Sequence, residues 1–130
     1  MNIPDLKSPE EIIDYGMDDV VIRHYIAGIV GGKTLNMEGY TENVLKAGHV
    51  IIYDTVLDEY KPMPLSGDAY GSLPANHVYA GVLVRSILTK EPFAAIMYAG
   101  EVNDVASPYS VASIKDALKS ALPQLVFMHD

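Results

Sequence analysis

The sequence predicts a mainly β (α+β) fold, a small antiparallel β barrel or sandwich with a short N-terminal helix and one C-terminal helix followed by a short strand. Stretches rich in β-branched and aromatic residues recur along the chain, and their stiff side chains suit a pleated surface. Clusters of glycine, asparagine, aspartate and serine punctuate those stretches. Sustained helical spacing appears near the C-terminus, where apolar residues return every three or four positions. At 130 residues the chain has one domain's length and buries about two thirds of its surface on folding, enough for an ordinary core. It divides into an N-terminal arm with its short helix, residues 1–18, and a single β-rich domain, residues 19–130.

Taken in order, Met1 to Lys7 offers only Ile3, Pro4 and Leu6 for burial, too little to order an arm without a partner. Ser8-Pro9-Glu10-Glu11-Ile12-Ile13-Asp14-Tyr15-Gly16 then has a serine N-cap, proline at the first helical position, glutamate three residues after the cap and a glycine stop, which together predict a two-turn helix. A strand follows within Asp19 to Val30, centred on Val20-Val21-Ile22-Arg23-His24-Tyr25-Ile26, and the same character recurs at His49 to Tyr53, His77 to Leu88 and Pro92 to Val102. Turns are expected at Gly31-Gly32, Asp58-Glu59, Ser66-Gly67-Asp68 and Asn103-Asp104. Pro62 and Pro64 cannot donate ladder hydrogen bonds, so Glu59 to Leu65 must be an edge strand or an extended loop. Val111, Ile114, Ala117, Leu118, Ala121 and Leu122 fall on one face of a helix, with Ser110 or Ser113 as its cap. Pro123 stops that helix, and Leu125-Val126-Phe127-Met128 reads as a last strand.

Composition narrows the function. Seventeen acidic against nine basic side chains give a net charge of −8, a field that repels phosphate backbones, and no Lys/Arg cluster interrupts it, so a nucleic-acid partner is not expected. Cysteine is absent, which removes disulfides, thiolate metal sites and cysteine nucleophiles together. The longest apolar runs fall far short of the roughly 18 residues a membrane span needs, and the N-terminus lacks the basic and apolar regions of a secretory signal. A soluble chain that stays where it is made is expected, with no membrane partner.

Enzymatic motifs fail on spacing. Gly28-Ile29-Val30-Gly31-Gly32-Lys33-Thr34 ends like a phosphate-binding loop, but Ala27 stands where the first glycine belongs and no helical period follows; a glycine turn is the plain reading. His24, His49, His77 and His129 stand singly, without the spacing that puts two imidazoles on one metal. Asp54, Asp58 and Glu59 lack the order of a calcium loop and read as a solvated turn. Ser72 lies outside any nucleophile elbow. No catalytic residue, metal ligand or cofactor is expected. Nine tyrosines with no tryptophan suit strands and partly buried contact surfaces.

Four runs occur in a telling order: Leu45-Lys46-Ala47-Gly48-His49-Val50-Ile51-Ile52, Tyr60-Lys61-Pro62, Val78-Tyr79-Ala80-Gly81-Val82-Leu83-Val84, and Ala94-Ala95-Ile96-Met97-Tyr98-Ala99-Gly100-Glu101-Val102-Asn103. With the closing Ser113 to Leu118 and Leu125-Val126-Phe127, they resemble the head decoration and head fibre proteins of tailed phages, the lambda-type capsid-stabilising family. The resemblance covers Leu45 to Met128, and the helix expected at Pro9 to Tyr15 and the longer front end depart from the pattern. It implies a β-rich virion structural protein, made in the host bacterial cytoplasm, that binds the capsid exterior as a homotrimer and stabilises the expanded head, with the major capsid protein shell as partner. It also implies that the arm is ordered on the shell, which makes Ile3, Pro4 and Leu6 its candidate capsid-binding residues. The alternatives are another phage structural subunit of tail or baseplate, or a small trimeric β-fold enzyme.

Overall fold

A computed structural model describes residues 18–129; the arm and the helix expected over Ser8 to Gly16 lie outside the described residues. The described chain opens with a helical turn, α1 (Asp18–Val21), and runs through β1 (Ile22–Gly28), β2 (Lys33–Thr34), β3 (Val44–Leu45), β4 (Val50–Asp54), β5 (Glu59–Pro62), β6 (Leu65–Ser66) and β7 (Ala69–Tyr70). β8 (His77–Leu83), β9 (Ile87–Leu88), β10 (Phe93–Ala94), β11 (Ile96–Asn103), α2 (Lys115–Ala121) and β12 (Leu125–Met128) complete it. The mainly β class with antiparallel sheets and short helices is therefore as expected, and the architecture is that of a small β sandwich.

The central sheet has the order β1-β11-β8-β4-β5, and β12 joins it by pairing with β11. That last pairing is parallel, because α2 carries the chain back along the sheet before β12 begins, a reversal that a tight turn cannot give. Both faces of the sheet are covered. On one, Val50, Ile52, Val82, Met97 and Val102 pack with Val111 and Ile114 from the segment leading into α2 and with Leu118 from α2 itself. On the other, Ile51, Leu83 and Ile96 pack with Leu35, Leu45 and Ala94, contributed by the short paired strands and their flanks. Val50, Ile51 and Ile52 are consequently all fully buried, each worth about 1.5–3 kcal/mol of hydrophobic stabilisation. This is why the centre of the sequence shows apolar runs in place of strict alternation.

Several expected boundaries move. The stretch read as a strand from Asp19 begins as α1, whose Asp18 and Asp19 complement the helix dipole. Asp18 also accepts hydrogen bonds from the Ser86 amide and hydroxyl at 2.9 and 2.8 Å. The His77 to Leu88 stretch splits, since Ile87 and Leu88 leave the central sheet to pair with Leu45 and Val44. The C-terminal helix is shorter than its apolar spacing implies: neither Ser110 nor Ser113 caps it, Ile114 stands at the N-cap without a side-chain bond, and burial of Val111 and Ile114 in the core fixes that approach instead. Of the edge strand or extended loop expected over Glu59 to Leu65, Glu59–Pro62 is an edge strand of the central sheet.

Glycine decides how closely the sheet packs at two bulges. At Gly81, where the register between β4 and β8 slips, an added Cβ would strike the Met97 carbonyl, whose carbon lies 2.8 Å away. At Gly100 it would strike the His24 carbonyl of the neighbouring strand. Replacing Gly81 with Ala is expected to cost about 2–4 kcal/mol of stability through backbone collision, whereas Gly71→Ala, whose Cβ would have no neighbour nearer than 3.5 Å, stays within about 1 kcal/mol of the parent. Urea unfolding of the two variants measures the contrast.

Candidate functional site

Two surface features stand out, one apolar and one acidic. The first follows from irregularity in β1. Its ladder with β11 slips three times, which leaves Ile26 on β1 and Tyr98 on β11 without a directly opposing residue in that ladder. Bulged residues of this kind re-aim their side chains and twist an edge strand. Ile26 is 61% exposed, Tyr25 52% and Tyr98 41%. Next to them the turn after β1 lifts Val30 to 96% exposure, and Phe93, 63% exposed, lies within 3.1 Å of the Cβ position at Gly32. Exposed apolar side chains therefore gather on β1, the turn that follows it and the neighbouring β10 and β11, on a chain of net charge −8.

The second feature is a cleft of about 580 Å³ between the loop after β2 and the β5–β6 region. Tyr40, Met63 and Tyr109 line it, and behind them lies His49, fully buried. The imidazole meets Tyr40, Tyr70 and Tyr109 edge-on, with ring centroids 5.7, 5.3 and 5.6 Å away. Its Nε2 is 3.1 Å from the Met63 carbonyl oxygen; a carbonyl only accepts, so Nε2 carries the proton and Nδ1 holds a bare lone pair, with no hydrogen-bond partner. The Tyr70 hydroxyl accepts from the Val50 amide at 3.0 Å, tying this cluster to the central strand. Burial first, then the neighbouring Tyr109 and the Glu42 carboxylate, push the Tyr40 phenol well above its ordinary range.

The residues singled out by the sequence separate into structural roles. Gly31 and Gly32 turn with φ of 81° and 71°, and Lys33 and Thr34 continue as strand β2 against β10, away from any helix N-terminus. Asp54 accepts from the Val56 and Leu57 amides at 2.9 and 3.1 Å and so shapes the turn after β4. Asp58 accepts from the Tyr53 hydroxyl, and Glu59 accepts from the Asn36 amide nitrogen. His77 Nε2 lies 3.6 Å from Asp54, beyond hydrogen-bond reach, and His129 bonds Asp104 at 2.8 Å. The four histidines do not converge, and among the described residues no group of three or more His, Asp or Glu is placed to hold a metal ion. Ile3, Pro4 and Leu6 lie outside the described residues. No described helix is long and apolar enough to cross a membrane.

Reasoning on the sequence missed the His49 cluster, whose four rings come from positions 40, 49, 70 and 109, and the Asp18 link to Ser86. The tyrosine count was the one signal pointing toward the former. No family model, curated protein or solved structure matches this chain.

The His49 cluster sets a pH dependence with a definite sign. Burial lowers the imidazole from its ordinary value near 6.5 to about 4, opposed only in part by the bond to Met63. The folded chain accepts the neutral ring, so this contribution is complete above about pH 6.5 and is lost as pH falls toward about 4, by on the order of 2–3 kcal/mol. Asp54, held below its ordinary range by the Leu57 and Val56 amides, and Asp104, held down by His129, lose their contributions only at lower pH. Urea unfolding from pH 7.5 to 4 should show stability falling with uptake of one proton by the unfolded chain, and NMR should find the folded His49 ring neutral at pH 5.5. A ring that titrates near 6.5 would contradict the assignment.

Proposed function

We propose that this chain is a virion structural protein that binds the exterior of a tailed-phage head as a homotrimer and stabilises the expanded shell. The observation that carries the reading is the apolar rim of Tyr25, Ile26, Val30, Phe93 and Tyr98, exposed on an acidic domain. An isolated soluble domain gains nothing from such a rim, while an oligomer removes it from water and regains the hydrophobic stabilisation. The bulges of β1 favour side-chain packing over strand addition there, since a twisted, irregular edge is a poor template for a new ladder. The resemblance of the Leu45 to Met128 runs to head decoration proteins supports the same role.

In this reading the shell contact comes from the arm. Ile3, Pro4 and Leu6 can add to an exposed sheet edge of the major capsid protein, gaining main-chain hydrogen bonds that are offset by an ordering cost of about 1–2 kcal/mol per residue. Each arm binds weakly, but once one is attached the other two act at high effective concentration, so the trimer is held.

Light scattering of the purified chain is expected to give roughly three times 14.2 kDa. The double change Ile26→Lys and Tyr98→Lys should weaken association at least about tenfold without unfolding the domain. Deleting residues 1–7 should abolish binding to expanded heads while leaving the trimer and its melting temperature intact. A monomer at tens of micromolar that also ignores expanded heads would sink the proposal; assembly on purified tails or baseplates would point to the other structural role.

A further inference from the structure

The cleft in front of His49 is independent of the apolar rim, and the assembly reading gives it no task. Its walls carry Glu38, Glu42 and Asp68, all exposed, against the single ammonium of Lys61. The ion pairs between described residues fall elsewhere, at Asp54 and Asp104, so none of the three carboxylates is neutralised in that way. Among the described residues they form no group of ligands around one metal ion. Tyr40 and Tyr109 also line the cleft, and tyrosine rings attract cations through their quadrupole. Behind them His49 is fixed through Nε2 to the Met63 carbonyl, so the residues that line this end of the cleft are held from inside the core. Acidic walls and tyrosine rings favour positive charge, and carboxylates that form no metal-holding group favour charges carried on a chain over a point ion.

We propose that this cleft binds a lysine- or arginine-bearing extended peptide segment of a partner protein. The stems of such side chains lie along Met63 and the tyrosine rings, and their cationic heads reach the three carboxylates at the walls. Association is then weak to moderate, fast and dependent on salt, because the charges that steer it are exposed.

The test uses the full chain, labelled for NMR, with the peptide acetyl-Lys-Pro-Leu-Lys-amide as probe and the same peptide with Glu for Lys as its counterpart. The cationic peptide should shift the amides around Tyr40, Glu42, Met63 and Tyr109 saturably, and the acidic one should not. Glu38→Gln, Glu42→Gln and Asp68→Asn together should raise its Kd roughly tenfold, as expected for three exposed charge contacts. A control triple, Asp19→Asn, Glu91→Gln and Asp116→Asn, removes the same net charge from other surfaces and should leave the Kd within about twofold. A separate variant, Tyr109→Leu, should weaken binding while leaving its salt dependence unchanged. Equal weakening by the two triples would assign the attraction to the charge of the whole protein, and shifts mapping to other surfaces, or equal binding of the acidic peptide, would likewise overturn the proposal.

Discussion

The first three residues of strand β4 have no wet side, and most of the molecule is arranged around that constraint. Val50, Ile51 and Ile52 present apolar side chains to both faces of the sheet at full burial, so each face needs its own cover. A chain of this length cannot supply two complete sheets. It covers one face with α2 and the residues leading into it, and the other with two-residue strands paired across loops, β2 with β10 and β3 with β9. These short pairs are too small to be stable alone; they persist because they are laid on Ile51, Leu83 and Ile96. The many brief strands of this fold are therefore lids on a central sheet, held by burial more than by their own ladders.

Dry packing on both faces also explains the glycines and the bulges. Bringing β8 against β11 at Gly81, and β11 against β1 at Gly100, leaves no room for a Cβ. The resulting local twist turns Ile26 and Tyr98 out of register. The exposed apolar rim is thus linked to the tight core, since the residues displaced by the bulges are the ones that reach the surface. Exposure of this kind is hard to read from a sequence, because Ile26 and Tyr98 are chemically indistinguishable from core residues and only the slipped register puts them outside.

The parts legible in the sequence were those governed by local chemistry. β-branched runs marked β4, β8 and β11, the two prolines kept the β5 stretch out of the sheet centre, as an edge strand or extended loop, Gly31-Gly32 marked a turn, and Pro123 marked the end of α2. The parts that were not legible depend on residues far apart in the chain. Asp18 reads as an ordinary acidic residue until Ser86, 68 positions away, is found donating to it twice, and that anchor turns the start of an expected strand into α1. His49 reads as one of four isolated histidines, yet rings from three separate segments close around it. Ser110 and Ser113 had the right chemistry for a cap, but burial of Val111 and Ile114 sets the backbone path and places Ile114 at the N-cap instead.

The same cluster connects the core to the surface. Tyr70 accepts from the Val50 amide, His49 donates to Met63, whose own amide donates to the Val50 carbonyl at 2.8 Å, and Tyr40 and Tyr109 complete the ring and face the cleft. A polar side chain placed this deep is tolerated because Nε2 is satisfied and the ring edges are covered by aromatic neighbours, while the remaining lone pair at Nδ1 carries a desolvation cost. An apolar residue of similar size would avoid that cost but would lose the bond that fixes Met63, and with it the position of the β5–β6 wall. The cleft's floor is thereby built from the same residues that seat the central strand, so its shape is as fixed as the core, while its acidic walls remain free to meet charge from outside.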